Sequence, residues 1–289
     1  MKKQVSGFIM LFLGATLLPN FSSFLYSWAL NGSDFEPNWI LWATLSLTIL
    51  LFLFGILTLL EKTILLANLL VLLGYSVFQS WMLWQNQLEP WIKNGELGLI
   101  DYSRLITLLV ALIGITYLFI KTPEKPAIPP TDWQKKWRWA GVFFAILGLG
   151  VSITLAVIVL SGEEFFFTTP FDAYLGIGIA FFFLLAIIFG FRKPNAFITA
   201  PLLGLSFNFF TEYLWLEQLL RKIGSQIGSQ IGQDENTVVA LKLIIGTLGI
   251  FASLFLIIAT QKRNSKPNTR FRISFFLTIF SVKATQSQR

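Results

Sequence analysis

The sequence predicts an all-α integral membrane protein: a polytopic bundle of about eight transmembrane helices with the N-terminus and C-terminus cytoplasmic. Three observations predict it. Eight apolar stretches approach the roughly 20 residues a helix needs to cross hydrocarbon. Tryptophans cluster at the ends of those stretches, and the basic residues between them fall almost entirely on one side.

The stretches lie at about 5–29, 39–60, 63–84, 102–120, 139–160, 173–191, 196–216 and 238–260. Trp28, Trp39, Trp42, Trp81, Trp84 and Trp139 bracket several of them, where amphipathic rings favour the headgroup level. Composition agrees. Of 289 residues, 55% are hydrophobic and only 13% charged, more apolar surface than a soluble core of this length can hide.

Orientation follows from sorting the charges with the N-terminus placed inside. Of the 22 basic residues, only Lys93, Arg104, Arg221, Lys222 and Lys242 then fall outside; of the 15 acidic ones, only Glu61, Glu124 and Asp132 fall inside. One missed crossing would invert every later loop and destroy this separation, so eight fits better than seven or nine. The first stretch follows Lys2 and Lys3 as a signal peptide would, but no small-x-small cleavage site follows it. Pro19, Asn20, Ser22 and Ser23 read as a kinked or polar-faced helix that is retained.

The proline- and lysine-rich segment 121–138 reads as a cytoplasmic linker between two four-helix halves, 1–120 and 139–260, with a basic cytoplasmic tail at 261–289. Each half repeats one plan: a short acidic outer loop, a tight inner turn, then a longer outer connection, Gln85–Asp101 or Glu217–Thr237. Four crossings per half make this a parallel repeat, although residue matching between the halves is poor. In the tail, the apolar run Ile273–Val282 between basic flanks reads either as a segment on anionic lipid headgroups or as an unstructured end. The repeated IGSQ stretch, Ile223–Gly232, reads either as a small-residue helix or as a low-complexity loop.

Lipid gives helices no hydrophobic reason to associate, so close packing needs small residues on one stripe. Gly141, Ala145, Gly148, Ser152 and Ala156 form one within about 60° on the fifth stretch. Gly246 and Gly249 occupy a similar place on the eighth. Polar residues inside lipid are expensive and face the bundle interior. On the seventh stretch Pro201, Gly204, Asn208, Glu212 and Trp215 share a side; on the eighth, Lys242, Gly246, Gly249, Ser253 and Thr260 do. Glu212 and Lys242 each sit about one turn inside the outer boundary, so an ion pair with Asn208 beneath it is expected. The first half offers Asn68, Tyr75 and Gln79 on the third stretch and Arg104, Thr107, Ala111 and Gly114 on the fourth. If the two faces meet, the cleft opens outward and carries Arg104 and Lys242, a layout suited to an anionic solute or headgroup. The alternative is a purely structural ion pair, or two side chains snorkelling to the outer surface.

With no cysteine and no histidine, disulfides, thiolate chemistry, histidine-held haem and histidine general bases are excluded. No metal or cofactor is expected. The basic excess of +7 lies beside membrane segments, which argues against a nucleic-acid partner. Asp34-Phe35-Glu36 resembles the acidic first loop of polytopic lipid-linked-sugar glycosyltransferases, but an eight-residue loop is short for one, so this is a remote reading. The leading expectation is a non-catalytic subunit, assembly partner or scaffold of a membrane complex, with lipid and other membrane proteins as partners. The runner-up is a transporter of a small anionic solute or lipid through the polar cleft formed by Asn208, Glu212, Lys242, Arg104 and Gln79. A bacterial-type inner membrane, or a thylakoid or organellar one, fits the charge pattern.

Overall fold

In hydrocarbon a backbone amide has no water to bond, so a chain this apolar must satisfy its main chain within each crossing, and the α-helix does so. A computed structural model describes residues 2–31, 39–62, 65–94, 101–119, 132–161, 170–190, 195–227 and 233–260. Side chains are described in these ranges except at 2–4, 21–31, 94, 170–172, 215–227 and 233–236.

The described elements are all helical: α1 (Lys2–Asn31), α2 (Trp39–Leu59), α3 (Leu65–Leu83), α4 (Glu89–Asn94), α5 (Tyr102–Phe119), α6 (Asp132–Leu160), α7 (Pro170–Gly190), α8 (Ala196–Ile227) and α9 (Gln233–Thr260). A π-helical stretch, Trp84–Leu88, joins α3 to α4 without a break. Among the described residues six helices are long and apolar enough to cross a membrane: α2, α3 with its continuation to Lys93, α5, α6, α7 from Ala173 and α9 from Thr237. The chain is therefore a multi-pass membrane protein. α1 holds a shorter apolar run, Val5–Asn20. α8 is the longest helix described, and it is interrupted by more polar residues.

Three boundaries differ from expectation. Asp132–Arg138, read above as the end of the linker, forms the first two turns of α6. Gln85–Asn94 is helical rather than loop, and α8 continues beyond its apolar stretch to Ile227. A hydropathy criterion stops where apolar residues stop, but a helix continues as long as its turns are supported. Lys93 reaches Glu89 at 2.6 Å and Lys135 reaches Asp132 at 3.1 Å, same-face ion pairs that support exposed turns. The turn after α2 is sharper. Glu61 adopts φ 61°, Glu61 N–H donates to the Thr58 carbonyl and Lys62 N–H to the Leu57 carbonyl, a Schellman closure that ends the helix at once.

Several sequence expectations lie outside the described residues: Asp34-Phe35-Glu36, linker residues 121–131, Gly228 and Gly232 of the IGSQ stretch, and the whole tail, Ile273–Val282 included. The side chain of Trp215 is outside them too.

Within the first half α1 packs along α2 and against α5, α3 packs on α5, and α2 touches α3 more lightly. In the second half α6 packs along α7 and α9, α8 packs on α9, and α7 touches α8 more lightly. The halves thus share one packing order, and they meet chiefly where α1 crosses α8. Gly204 permits that crossing. A Cβ placed there would lie 2.6 Å from the Phe12 carbonyl oxygen and 2.7 Å from Ala15 Cβ. Two apolar cores flank the crossing, one built on Met10, Leu13, Leu51, Leu72 and Ala111, the other on Leu155, Ile179, Phe183, Leu202 and Ile245. Each half lends a residue to the other's core: Ala15 of α1 sits in the second and Ala200 of α8 in the first.

Burial separates two kinds of helix. From Val5 to Pro19 in α1, and from Ile198 to Leu214 in α8, every residue is buried or partly buried, with the side chain of Glu212 the part that reaches the surface. On α2, α3, α5, α6 and α7 exposed residues recur every three or four positions, and on α9 more sparsely; Leu109, Phe143, Ile153, Val157 and Phe181 are among them and present an apolar face to lipid. Trp39 and Trp81 meet edge-to-face at 4.5 Å where α2 begins and α3 ends. Paired tryptophans of this kind suit the headgroup level.

Candidate functional site

The α8–α9 hairpin is set by glycine. A Cβ on Gly246 would lie 2.6 Å from Phe210 N, and one on Gly249 would run into Ser206, so the two helices touch backbone to backbone. One turn further along each helix, Lys242 and Glu212 arrive at the same level, and Lys242 Nζ donates to Glu212 Oε1 at 2.7 Å. The pair is lopsided. The Lys242 side chain is 1% exposed and that of Glu212 40%, so the carboxylate reaches the surface and the ammonium lies behind it. Pro201 and Gly204 are buried on the same helix, Ser253 is buried on α9, and Thr260 is exposed at the end of α9.

Asn208, one turn below Glu212, turns toward the first half. Its Nδ2 donates to the Thr16 carbonyl of α1 at 2.7 Å. Thr16 had not been singled out in the sequence, yet it is the residue through which the two polar faces meet. Tyr75 of α3, fully buried, directs its hydroxyl among the side chains of Thr107, Thr16 and Gln79, which lie within reach of it, but no bond of good hydrogen-bonding geometry forms. Gln79 Oε1 then accepts from Arg104 Nη1 at 3.4 Å.

Arg104 is held from its own helix. Asp101 caps α5, its Oδ1 accepting from Arg104 N at 3.0 Å while its Oδ2 accepts from Arg104 Nε at 2.6 Å. The sequence treated Arg104 as a cation opposite Lys242, available to an anion. Each of these cations is instead neutralised by a carboxylate of this chain. Asp101, three residues before Arg104, was the available signal.

The remaining candidates lie elsewhere. Asn68 is buried on the same face of α3 as Gln79 but hydrogen-bonds Thr58 of α2 at 3.0 Å, away from the seam. Ala111 and Gly114 are buried, with Ile9 and Leu72 closing over Gly114. Gly141, Ala145, Gly148 and Ser152 are buried on α6. Leu256 faces Gly141, the Phe183 ring covers Gly148, and Ser152 Oγ donates to the Gly148 carbonyl at 2.7 Å. These residues pack α6 on α7 and α9 and take no part in the seam.

The chemistry of the seam is hydrogen bonding. Hydroxyls, amides and two internally neutralised ion pairs run from Asp101 and Glu212, both partly exposed, inward to Tyr75. Among the described residues no three potential metal-ligating side chains gather. No family model, curated protein or solved structure matches this chain.

Proposed function

We propose that the chain crosses the membrane eight times with both ends cytoplasmic, and that its work is non-catalytic: the seam between its halves admits a small polar solute or lipid headgroup from the outer face. The observation that carries this reading is the Asn208 to Thr16 hydrogen bond. It joins polar residues of α8 to those around Tyr75, giving one continuous polar track where a purely structural bundle would be apolar. Sites at the junction of two helical halves, reached from one side, are the usual geometry of solute carriers. The basic-inside pattern suits a bacterial-type inner membrane, or a thylakoid or organellar one.

Because the chain has no cysteine, single cysteines report their surroundings cleanly. In right-side-out vesicles, Glu212→Cys and Gln79→Cys react with a membrane-impermeant maleimide added outside, while Ile153→Cys on the lipid face does not. Gln79→Cys as inert as Ile153→Cys would contradict an outward-opening seam.

A second reading, a subunit or scaffold of a membrane complex, is favoured by Gly150 and Gly178. A Cβ at either would meet nothing within 4 Å, leaving α6 and α7 with small-residue notches that another helix could fill. Cross-linking from Gly150→Cys in native membranes that captured no protein would count against it.

A further inference from the structure

A fully buried tyrosine hydroxyl without a hydrogen bond is expensive in lipid, and such groups are paired in stable proteins. Tyr75 is 0% exposed, its oxygen makes no hydrogen bond of good geometry, and three polar side chains lie within reach of it. Two of them have committed their protons. Thr16 Oγ1 donates to the Leu13 carbonyl and Thr107 Oγ1 to the Ser103 carbonyl, each at 2.8 Å, so both oxygens face inward as acceptors. Gln79 accepts from Arg104 through Oε1, which directs its amide nitrogen away as a donor. Tyr75 itself both donates and accepts.

From this arrangement we infer that the inner end of the seam is a recognition site for an uncharged hydroxyl-bearing solute, with Tyr75 as its central hydrogen-bonding residue. A hydroxyl group placed there donates to a threonine oxygen and accepts from Tyr75 or Gln79, matching both polarities. An anion has a poorer match: it would face two acceptor oxygens, and both nearby cations are already held, Arg104 by Asp101 and Lys242 by Glu212. A cation would meet the Arg104 charge. The selectivity therefore comes from paired donors and acceptors in a seam of zero net ionic charge.

The inference rests on the outward-opening seam proposed above, and glycerol flux separates the two. Purified full-length protein is reconstituted in vesicles, and entry of glycerol, or of phosphate as a small anion, is followed by stopped-flow light scattering. Glycerol enters faster than into protein-free vesicles, phosphate does not, and Tyr75→Phe lowers the protein-dependent glycerol rate about tenfold, the effect of one lost hydrogen bond at the limiting site. Thermal unfolding in detergent verifies that Tyr75→Phe is folded. Thr107→Val, which removes an acceptor without touching Tyr75, provides a second variant with a loss of the same sign. Protein-dependent phosphate entry without glycerol entry would overturn the uncharged-solute inference and leave the seam standing. Glycerol entry unchanged by both variants would overturn Tyr75 as the recognising residue and mark its partner as a structural water. Entry of neither probe would overturn the inference; the seam would then be judged by the thiol labelling alone.

Discussion

The two inner helices and the six outer ones obey different rules. α6 is typical of the outer set: Phe143, Ile146, Leu147, Ile153 and Val157 face lipid, and Gly141, Ala145, Gly148 and Ser152 face protein. α1 and α8 have no lipid face along Val5–Pro19 and Ile198–Leu214. A helix that meets only other helices is released from the demand that its surface be hydrocarbon-like, and it can carry Thr16, Pro19, Ser206, Asn208 and Glu212. Polar groups on these two helices lie where the solvent constraint is weakest, and that is also where the halves join.

If this contrast holds, substitutions should grade with distance from the inner pair. The largest effect is expected from Gly204→Leu. Its side chain would be driven into the main chain of α1 at Phe12 and into Ala15, neither of which can swing aside. Unfolding in detergent should show a loss of about 3 kcal/mol or more, at the upper end for overpacking.

Next comes an asymmetry within one ion pair. Glu212→Gln leaves a buried ammonium without its carboxylate, and a loss of about 2–3 kcal/mol is expected. That is below the value for a fully buried pair because the carboxylate already reaches solvent. Lys242→Met leaves only a half-exposed carboxylate, with an expected loss under about 1 kcal/mol. Equal losses in the two variants would show that Lys242 is not the shielded partner.

Asn208→Leu removes one hydrogen bond to α1 and should lower stability by about 1 kcal/mol, the scale measured for bonds between membrane helices. The smallest change belongs to the lipid face. Ile153→Leu on α6 should remain within about 0.5 kcal/mol of the parent.

The same contrast explains what could be read from the sequence. Six of the expected crossings were legible because lipid demands long apolar runs, and those helices begin and end near them wherever a helix also leaves the hydrocarbon there. The extensions Asp132–Arg138, Gln85–Asn94 and Glu217–Ile227 were not legible by that criterion, since they continue the helix past its apolar stretch, the first two with same-face ion pairs. The Glu212 and Lys242 juxtaposition was within reach because both lie one turn inside sequential antiparallel helices. The contact between the halves was not. It depends on α1 packing against α8, nearly two hundred residues away, and Thr16 contributes a backbone carbonyl, which no side-chain pattern announces. Tyr75 was visible only as one member of a polar face; that its hydroxyl makes no hydrogen bond of good geometry is a property of the assembled bundle.

The measurement that bears most directly on the inner and outer distinction is collision of dissolved oxygen with nitroxides attached to single cysteines in lipid vesicles, scanned along residues 5–19 of α1 and 139–157 of α6. Oxygen accessibility is predicted to peak every three to four residues along α6 and to stay low at every position of α1. Peaks of equal height and spacing along α1 would contradict the account, because α1 would then face lipid and could not form the seam.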